Sequence, residues 1–169
     1  MIFPQFDNMD VIDRIRAKYD PVAHLVRPHV TLVFPFMSDL GADEIRKHVQ
    51  NSLAGVQPFL LSLQGIIAQK GFGNYLLLDV HRGRNKLKEM HRRLYTGILA
   101  PYLPSWCNPD CRPYSPHMTV GRVEDDEAFA VAVEAVSAVN DLFQTTVREI
   151  AVEIIEPDGS STIESVLSL

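Results

Sequence analysis

The stretch Pro28-His29-Val30-Thr31-Leu32 recurs 88 residues further on as Pro116-His117-Met118-Thr119-Val120. With six His and six Thr in 169 residues, chance supplies about 0.2 His-x-Thr triplets. Two occur, each directly after a proline and each opening a β-rich run. On a strand, residues i and i+2 share a face. His29, Thr31 and Val33 therefore point one way, and Val30, Leu32 and Phe34 the other. In the second copy His117, Thr119 and Gly121 share a face, with Met118 and Val120 behind it. The rear residues suit packing against helices. The front presents an imidazole and a hydroxyl, which a core does not need.

Working outward, the segments around the two copies match. A short strand ends at Ile2 to Pro4, and a helix over Asn8–Tyr19 follows, with Asp7 or Asn8 as N-cap and Met9, Ile12 and Ile15 on one face. The first motif strand spans 29–34 and stops at Pro35. A helix over Ala42–Leu53, capped near Ser38 or Asp39, leads into a hairpin of Phe59–Gln69 and Asn74–Val80. The second half opens with a helix over about Asn85–Leu99, carrying Leu87, Met90, Leu94 and Ile98 at helical spacing. A structured loop with five prolines covers 101–116, with Tyr102, Leu103, Trp106 and Tyr114 to bury. The second motif strand runs from His117 to Val123, and an Ala/Val-rich helix covers Asp126–Val139. Two last strands, about Thr145–Ile155 and Ser161–Leu167, turn at Pro157-Asp158-Gly159.

Each half thus reads motif strand, helix, β-hairpin, the mark of an internal duplication. The fold class is α+β: a bilobal, pseudo-twofold duplicated fold with antiparallel sheets facing a central cleft and helices outside. The chain is one bilobal domain with lobes of roughly 1–80 and 81–169, and strands can swap between them. Across the cleft the two motif faces are expected to confront each other.

Composition narrows the function. The chain is 46% hydrophobic and 22% charged, the balance of a globular domain. Lys plus Arg total 16 against 21 Asp plus Glu, giving a net charge of −5 and a pI near 5.6. A protein gripping long duplex nucleic acid normally carries a basic balance, so extended duplex binding is disfavoured. No run of about 18 apolar residues could span a membrane. No basic segment followed by an apolar run marks a secretory leader. The expected setting is cytoplasmic, and the expected oligomeric state is a monomer. Cys107 and Cys111, the two cysteines, read as reduced loop thiols.

Two imidazoles converging on one volume serve acid–base chemistry near neutrality, because unperturbed His titrates near 6.5. On opposite sides of a phosphorus centre, a neutral His can deprotonate water while a protonated one supplies the leaving oxygen. Thr hydroxyls can hydrogen-bond the non-bridging oxygens as charge builds. This arrangement requires no metal and no cofactor. No His-Glu-x-x-His and no carboxylate cluster beside either His suggests one.

The paired Pro-His-x-Thr motifs on a duplicated α+β scaffold resemble the 2H phosphoesterase superfamily. It includes 2′-5′ RNA ligase-like proteins and RNA 2′,3′-cyclic phosphodiesterases. The run Lys18-Tyr19-Asp20-Pro21, leading to Arg27-Pro28-His29-Val30-Thr31-Leu32-Val33-Phe34-Pro35-Phe36, is most similar to a bacterial subgroup of 2′-5′ RNA ligase family proteins. The resemblance extends from Phe3 to Leu167. It implies a bilobal fold with a central cleft and metal-free action on 2′,3′-cyclic or related phosphodiesters. It places the catalytic roles on His29, Thr31, His117 and Thr119 and points to RNA processing. The acidic charge favours a small cyclic nucleotide or an RNA terminus over a long chain. The same site can run the reverse reaction, a 2′-5′ ligation.

Further substrate-binding candidates are Arg27 and Arg122 for phosphate charge, and Tyr114 and Phe36 for stacking on a base. Arg122 is out of phase with His117 and Thr119, so it points away from the cleft unless the strand bulges. Structural roles, a salt bridge for either Arg and core packing for either aromatic, compete in each case. Trp106 reads as an anchor of the Pro-rich loop. His24, His48, His81 and His91 lack a following Thr, and His48 and His91 read as exposed on helices. The basic run Arg82, Arg84, Lys86, Lys88, Arg92, Arg93 can guide an RNA strand or form a solvated helix face. Two rival functions are a nucleotide- or RNA-end-binding module without turnover and a zinc-supported interaction domain on Cys107 and Cys111.

Overall fold

The long apolar runs of the first half build the central hairpin. In the computed structural model, which describes residues 1–71, 73–107, 110 and 112–169, β1 (Phe59–Gln69) pairs antiparallel with β2 (Tyr75–Arg82). β3 (His117–Arg122) adds to β2 and β4 (Phe143–Val147) to β1, giving the order β3-β2-β1-β4. β5 (Glu149–Ile155) and β6 (Ser161–Ser168) form a second hairpin. Its turn needs Gly159, whose φ is +84°, a region costly for side chains with a Cβ. Four helices cover this framework: α1 (Met9–Tyr19), α2 (Ala42–Ser52), α3 (Arg84–Leu94) and α4 (Asp126–Val136).

Two short segments join the hairpins. Val30 bridges Ile2 on one side and Met118 on the other, both antiparallel. Ile2 and Val30 exchange two N–H···O bonds of 2.9 Å. The Ala151 N–H donates to the Met1 carbonyl at 2.8 Å. The strands therefore follow one another as β6, β5, residues 1–2, residues 29–31, β3, β2, β1, β4, a curled antiparallel half-barrel. The hairpin after the first motif pairs with the second motif's strand. The hairpin after the second motif reaches the first motif through residues 1–2. The duplicated halves exchange their hairpins.

The rear of the motif strands is the core. Val30, Met118 and Val120 are fully buried and Leu32 nearly so, packed with Ile12 and Ile15 of α1. α1 lies on β3, and Gly121 allows that approach: a Cβ there would meet Leu76 and the Tyr19 Cβ at 3.0 Å.

Six sequence expectations change. The first motif strand predicted over 29–34 is reduced to the isolated bridge at Val30, because the chain bends at residues 32–33 and leaves its neighbours. The predicted strand 145–155 is two strands, because the chain leaves β1's edge after Val147 and enters the other hairpin at Glu149. The adjacent polar pair Arg148-Glu149 interrupts the alternation and moves the buried phase from Phe143 and Val147 to Ile150, but a one-residue slip does not by itself report a change of sheet. The predicted helix 85–99 ends at Leu94: Gly97 adopts φ +51° and residues 97–102 form a 3₁₀ turn, leaving Ile98 exposed. α2 is capped at Gly41, whose N–H donates to the Glu44 carboxylate at 3.0 Å, and not at Ser38 or Asp39. α4 stops at Val136, short of Val139. The Pro-rich loop buries Tyr114, but Leu103 and Trp106 stay exposed.

Candidate active site

The antiparallel bridge Val30↔Met118 fixes the relation of the two motifs. It sets His29 beside Thr119 and Thr31 beside His117, all on the face opposite the buried Val30 and Met118. The expectation that two faces confront each other across a cleft is corrected here: the motifs lie side by side on one sheet surface. By strand alternation about this bridge the imidazoles fall on one diagonal and the hydroxyls on the other. Of the four residues, His117 and Thr119 line the adjoining cleft. Diagonal neighbours of adjacent strands stand about 7–8 Å apart, which leaves room for a tetrahedral phosphate between the imidazoles.

Both rings are set alike. His29 Nδ1 lies 2.8 Å from the Arg27 carbonyl, and His117 Nδ1 lies 2.8 Å from the Ser115 carbonyl. A carbonyl only accepts, so each Nδ1 carries the proton and each Nε2 is left for proton exchange. Burial pushes both imidazole pKa values below the ordinary range. The carbonyl bonds oppose that shift, as do the charges of Glu153 near His29 and Asp79 near His117.

The neighbours of the two histidines differ. Asp79 on β2 is directly opposite His117, and its carboxylate accepts from Arg84 at 2.6 Å. The corresponding neighbour of His29 is Phe3, whose ring meets the imidazole edge-on at 6.0 Å. The Arg27 guanidinium in turn sits over the Phe3 ring, 4.0 Å from its centroid. These neighbours were missed in the sequence because each belongs to a strand paired only through tertiary structure.

Beyond Val30 the first motif strand has no strand partner of its own among the described residues, and side chains hold it instead. The Tyr114 hydroxyl donates to the Thr31 carbonyl at 2.5 Å. His91 Nδ1 donates to the Leu32 carbonyl at 2.8 Å, and the Tyr95 hydroxyl accepts from the Phe34 N–H at 2.9 Å. His91 stacks flat on Tyr114, with ring centroids 3.9 Å apart. His91 is therefore buried, contrary to the expected exposed position. His48 is half-buried and bonded to the Leu94 carbonyl at 2.8 Å, a second departure.

A cleft of ≈ 600 Å³ opens beside His117 and Thr119. Tyr75, Leu77 and Asp79 of β2 form its floor, and Phe34, Trp106, Arg112 and Tyr114 its wall. Tyr114 lines this cleft but is 8% exposed, with one ring face on His91. Phe36 packs on Tyr102 at 4.4 Å, away from the cleft. Arg27 and Arg122 are exposed. β3 does bulge: Leu77 pairs with Thr119 but Leu76 with Gly121, so Val120 is the extra residue. The bulge returns Arg122 to the face of Thr119, opposite Tyr75.

The basic run is partly neutralised, with Arg84 on Asp79 and both Lys86 and Arg93 on Glu89. Cys107 is buried with Sγ 3.8 Å from His91 Nε2, whereas Cys111 lies outside the described residues. Among the described residues no group of three or more His, Cys, Asp or Glu side chains could hold a metal ion, and no helix is long and apolar enough to cross a membrane.

Known proteins share this architecture. The chain is 26% identical over 131 residues to a Bacillus licheniformis protein named "Putative phosphoesterase", covering 75% of this chain and 72% of that one. A Geobacillus protein of the same name is 26% identical over 163 residues, 96% of this chain and 90% of its own. The crystal structure of TT0787 from Thermus thermophilus superposes with TM-score 0.66 at 17% identity, covering 99% of this chain and 94% of that one. That of Escherichia coli LigT complexed with ATP gives 0.52 at 19% identity, covering 94% and 91%. Residues 3–159 match the 2′-5′ RNA ligase superfamily, so the chain belongs to that superfamily, the 2H phosphoesterases.

Proposed function

We propose that the chain is a metal-independent phosphodiesterase that opens a 2′,3′-cyclic phosphate on a nucleotide or an RNA end. One observation carries this reading: two imidazoles with Nδ1 tied to backbone carbonyls lie diagonally across a pair of threonines. A neutral Nε2 takes a proton from the attacking water. The other imidazole, protonated, gives its proton to the departing ribose oxygen, and the P–O bond to that oxygen breaks. Thr31 and Thr119 donate to the non-bridging oxygens as their charge grows. Support for a nucleotide comes from the cleft beside His117 and from the likeness to LigT, which was crystallised with ATP. The cleft and the chain's acidic charge fit a small nucleotide or a strand end better than a duplex.

The test is turnover of the four nucleoside 2′,3′-cyclic monophosphates, and of a short RNA ending in a cyclic phosphate, in EDTA. His29→Ala and His117→Ala are assayed alongside. Turnover in EDTA by wild type, falling to a small residual activity in both variants, supports the reading. Nucleotide binding without turnover replaces it with a binding module, and activity only on added metal overturns it.

A further inference from the structure

The chain contains a single Trp, and Trp106 stands in the wall of the cleft with 47% of its surface exposed. An aromatic of this size is ordinarily covered, because its area dominates the energetics of a core or an interface. Its orientation is nevertheless fixed. Phe34 meets it edge-on at 4.6 Å, and Phe34 is itself braced edge-on by His91 and Tyr114. The Arg112 guanidinium stands 5.8 Å from the ring centroid. Gln69, Tyr75, His117 and Thr119 line the same cleft.

We propose that Trp106 is the stacking platform for the nucleobase of the substrate, so that the site selects nucleosidic phosphodiesters over base-free ones. This rests on the phosphodiesterase reading and names its substrate class. A held indole face gives sequence-tolerant stacking, since every base has a π-face. The Gln69 amide adds a donor and an acceptor that a base edge can use. Phe34, Trp106 and Tyr75 give the cleft aromatic surface that a base covers and a bare sugar phosphate does not. The pseudo-twofold axis supplies two similar phosphate ligands, and this aromatic wall breaks the symmetry by putting the base on the His117 side.

The single Trp makes the test direct. Tryptophan emission of the wild-type protein is followed while adenosine 2′- and 3′-monophosphate, ribose 5-phosphate and inorganic phosphate are added in turn. Emission is expected to change with the nucleotides and not with the other two. In parallel, kcat/KM is compared for adenosine 2′,3′-cyclic phosphate and a methyl riboside 2′,3′-cyclic phosphate without a base. Trp106→Ala is expected to lower the nucleoside preference roughly ten- to hundredfold, mainly through KM, and Trp106→Phe to restore much of it. Nucleotides that inhibit turnover without altering emission overturn the platform, as does an Ala variant with undiminished preference. Failure of the phosphodiesterase reading looks different: no cyclic phosphate is turned over, while the emission change still reports whether a base stacks on Trp106.

Discussion

Tyr114 shows how a single side chain links the two halves of the site. Its hydroxyl is the donor on the Thr31 carbonyl, and its ring carries His91, the donor on Leu32. Tyr114→Phe keeps the stack and removes one partly buried hydrogen bond, a loss of about 0.5–1.5 kcal/mol in stability. Because the bond holds the motif backbone, kcat is expected to fall severalfold more than KM rises. The effect should shrink in a Thr31→Ala background, where the positioned hydroxyl is already absent. A double-mutant cycle on kcat/KM checks this. An additive cycle would mean that Tyr114 acts only on global stability. The two His-x-Thr copies were legible in the sequence, because their side chains are local and their phase follows from strand geometry. The roles of Tyr114 and His91 were not legible, because a hydrogen bond from residue 114 to residue 31 leaves no periodic trace.

At the scale of elements, α1 and the segment after it deliver the first motif. Arg16 and Asp20 form a buried ion pair, 5% and 4% exposed, and Arg16 also donates to the Val26 carbonyl at 2.7 Å. The pair pins the chain between α1 and His29. Asp20→Ala leaves a buried guanidinium without its counter-charge and is expected to cost about 3–5 kcal/mol, read as a shift in the urea midpoint at unchanged slope. On the other side of α1, Gly121→Ala is expected to destabilise by about 1–3 kcal/mol through overpacking. Its backbone is not left-handed, so the clash with Leu76 and Tyr19 is the whole effect. A Gly121→Ala variant as stable as wild type would show that α1 sits further from β3. Helix and strand existence followed from periodicity here. The split at Arg148 and the break at Gly97 did not, since each depends on where the chain goes next.

For the whole molecule, the exchange of hairpins makes the two halves one cooperative framework around the paired motifs. Three half-buried or buried imidazoles, His29, His91 and His117, have pKa values lowered by desolvation. Above about pH 6.5 they are neutral in both folded and unfolded chains and exert no bias. As pH falls below that value the unfolded chain takes up protons that the folded one resists, so folding loses stability. Thermal denaturation at stepwise lower pH is expected to show this decline, and a flat profile between pH 7 and 5 would contradict the burial of these rings. The same depression sets the reaction. One neutral and one protonated imidazole coexist best near or below the ordinary His range, so the pH optimum is expected on the acidic side of neutrality. The most direct measurement is the pH dependence of kcat/KM on a 2′,3′-cyclic nucleotide in EDTA, for wild type, His29→Ala and His117→Ala. A bell in the wild type, with one limb missing from the residual activity of each variant, is the predicted result. A wild-type profile with a single limb, or a variant that keeps both, would contradict the two-histidine account.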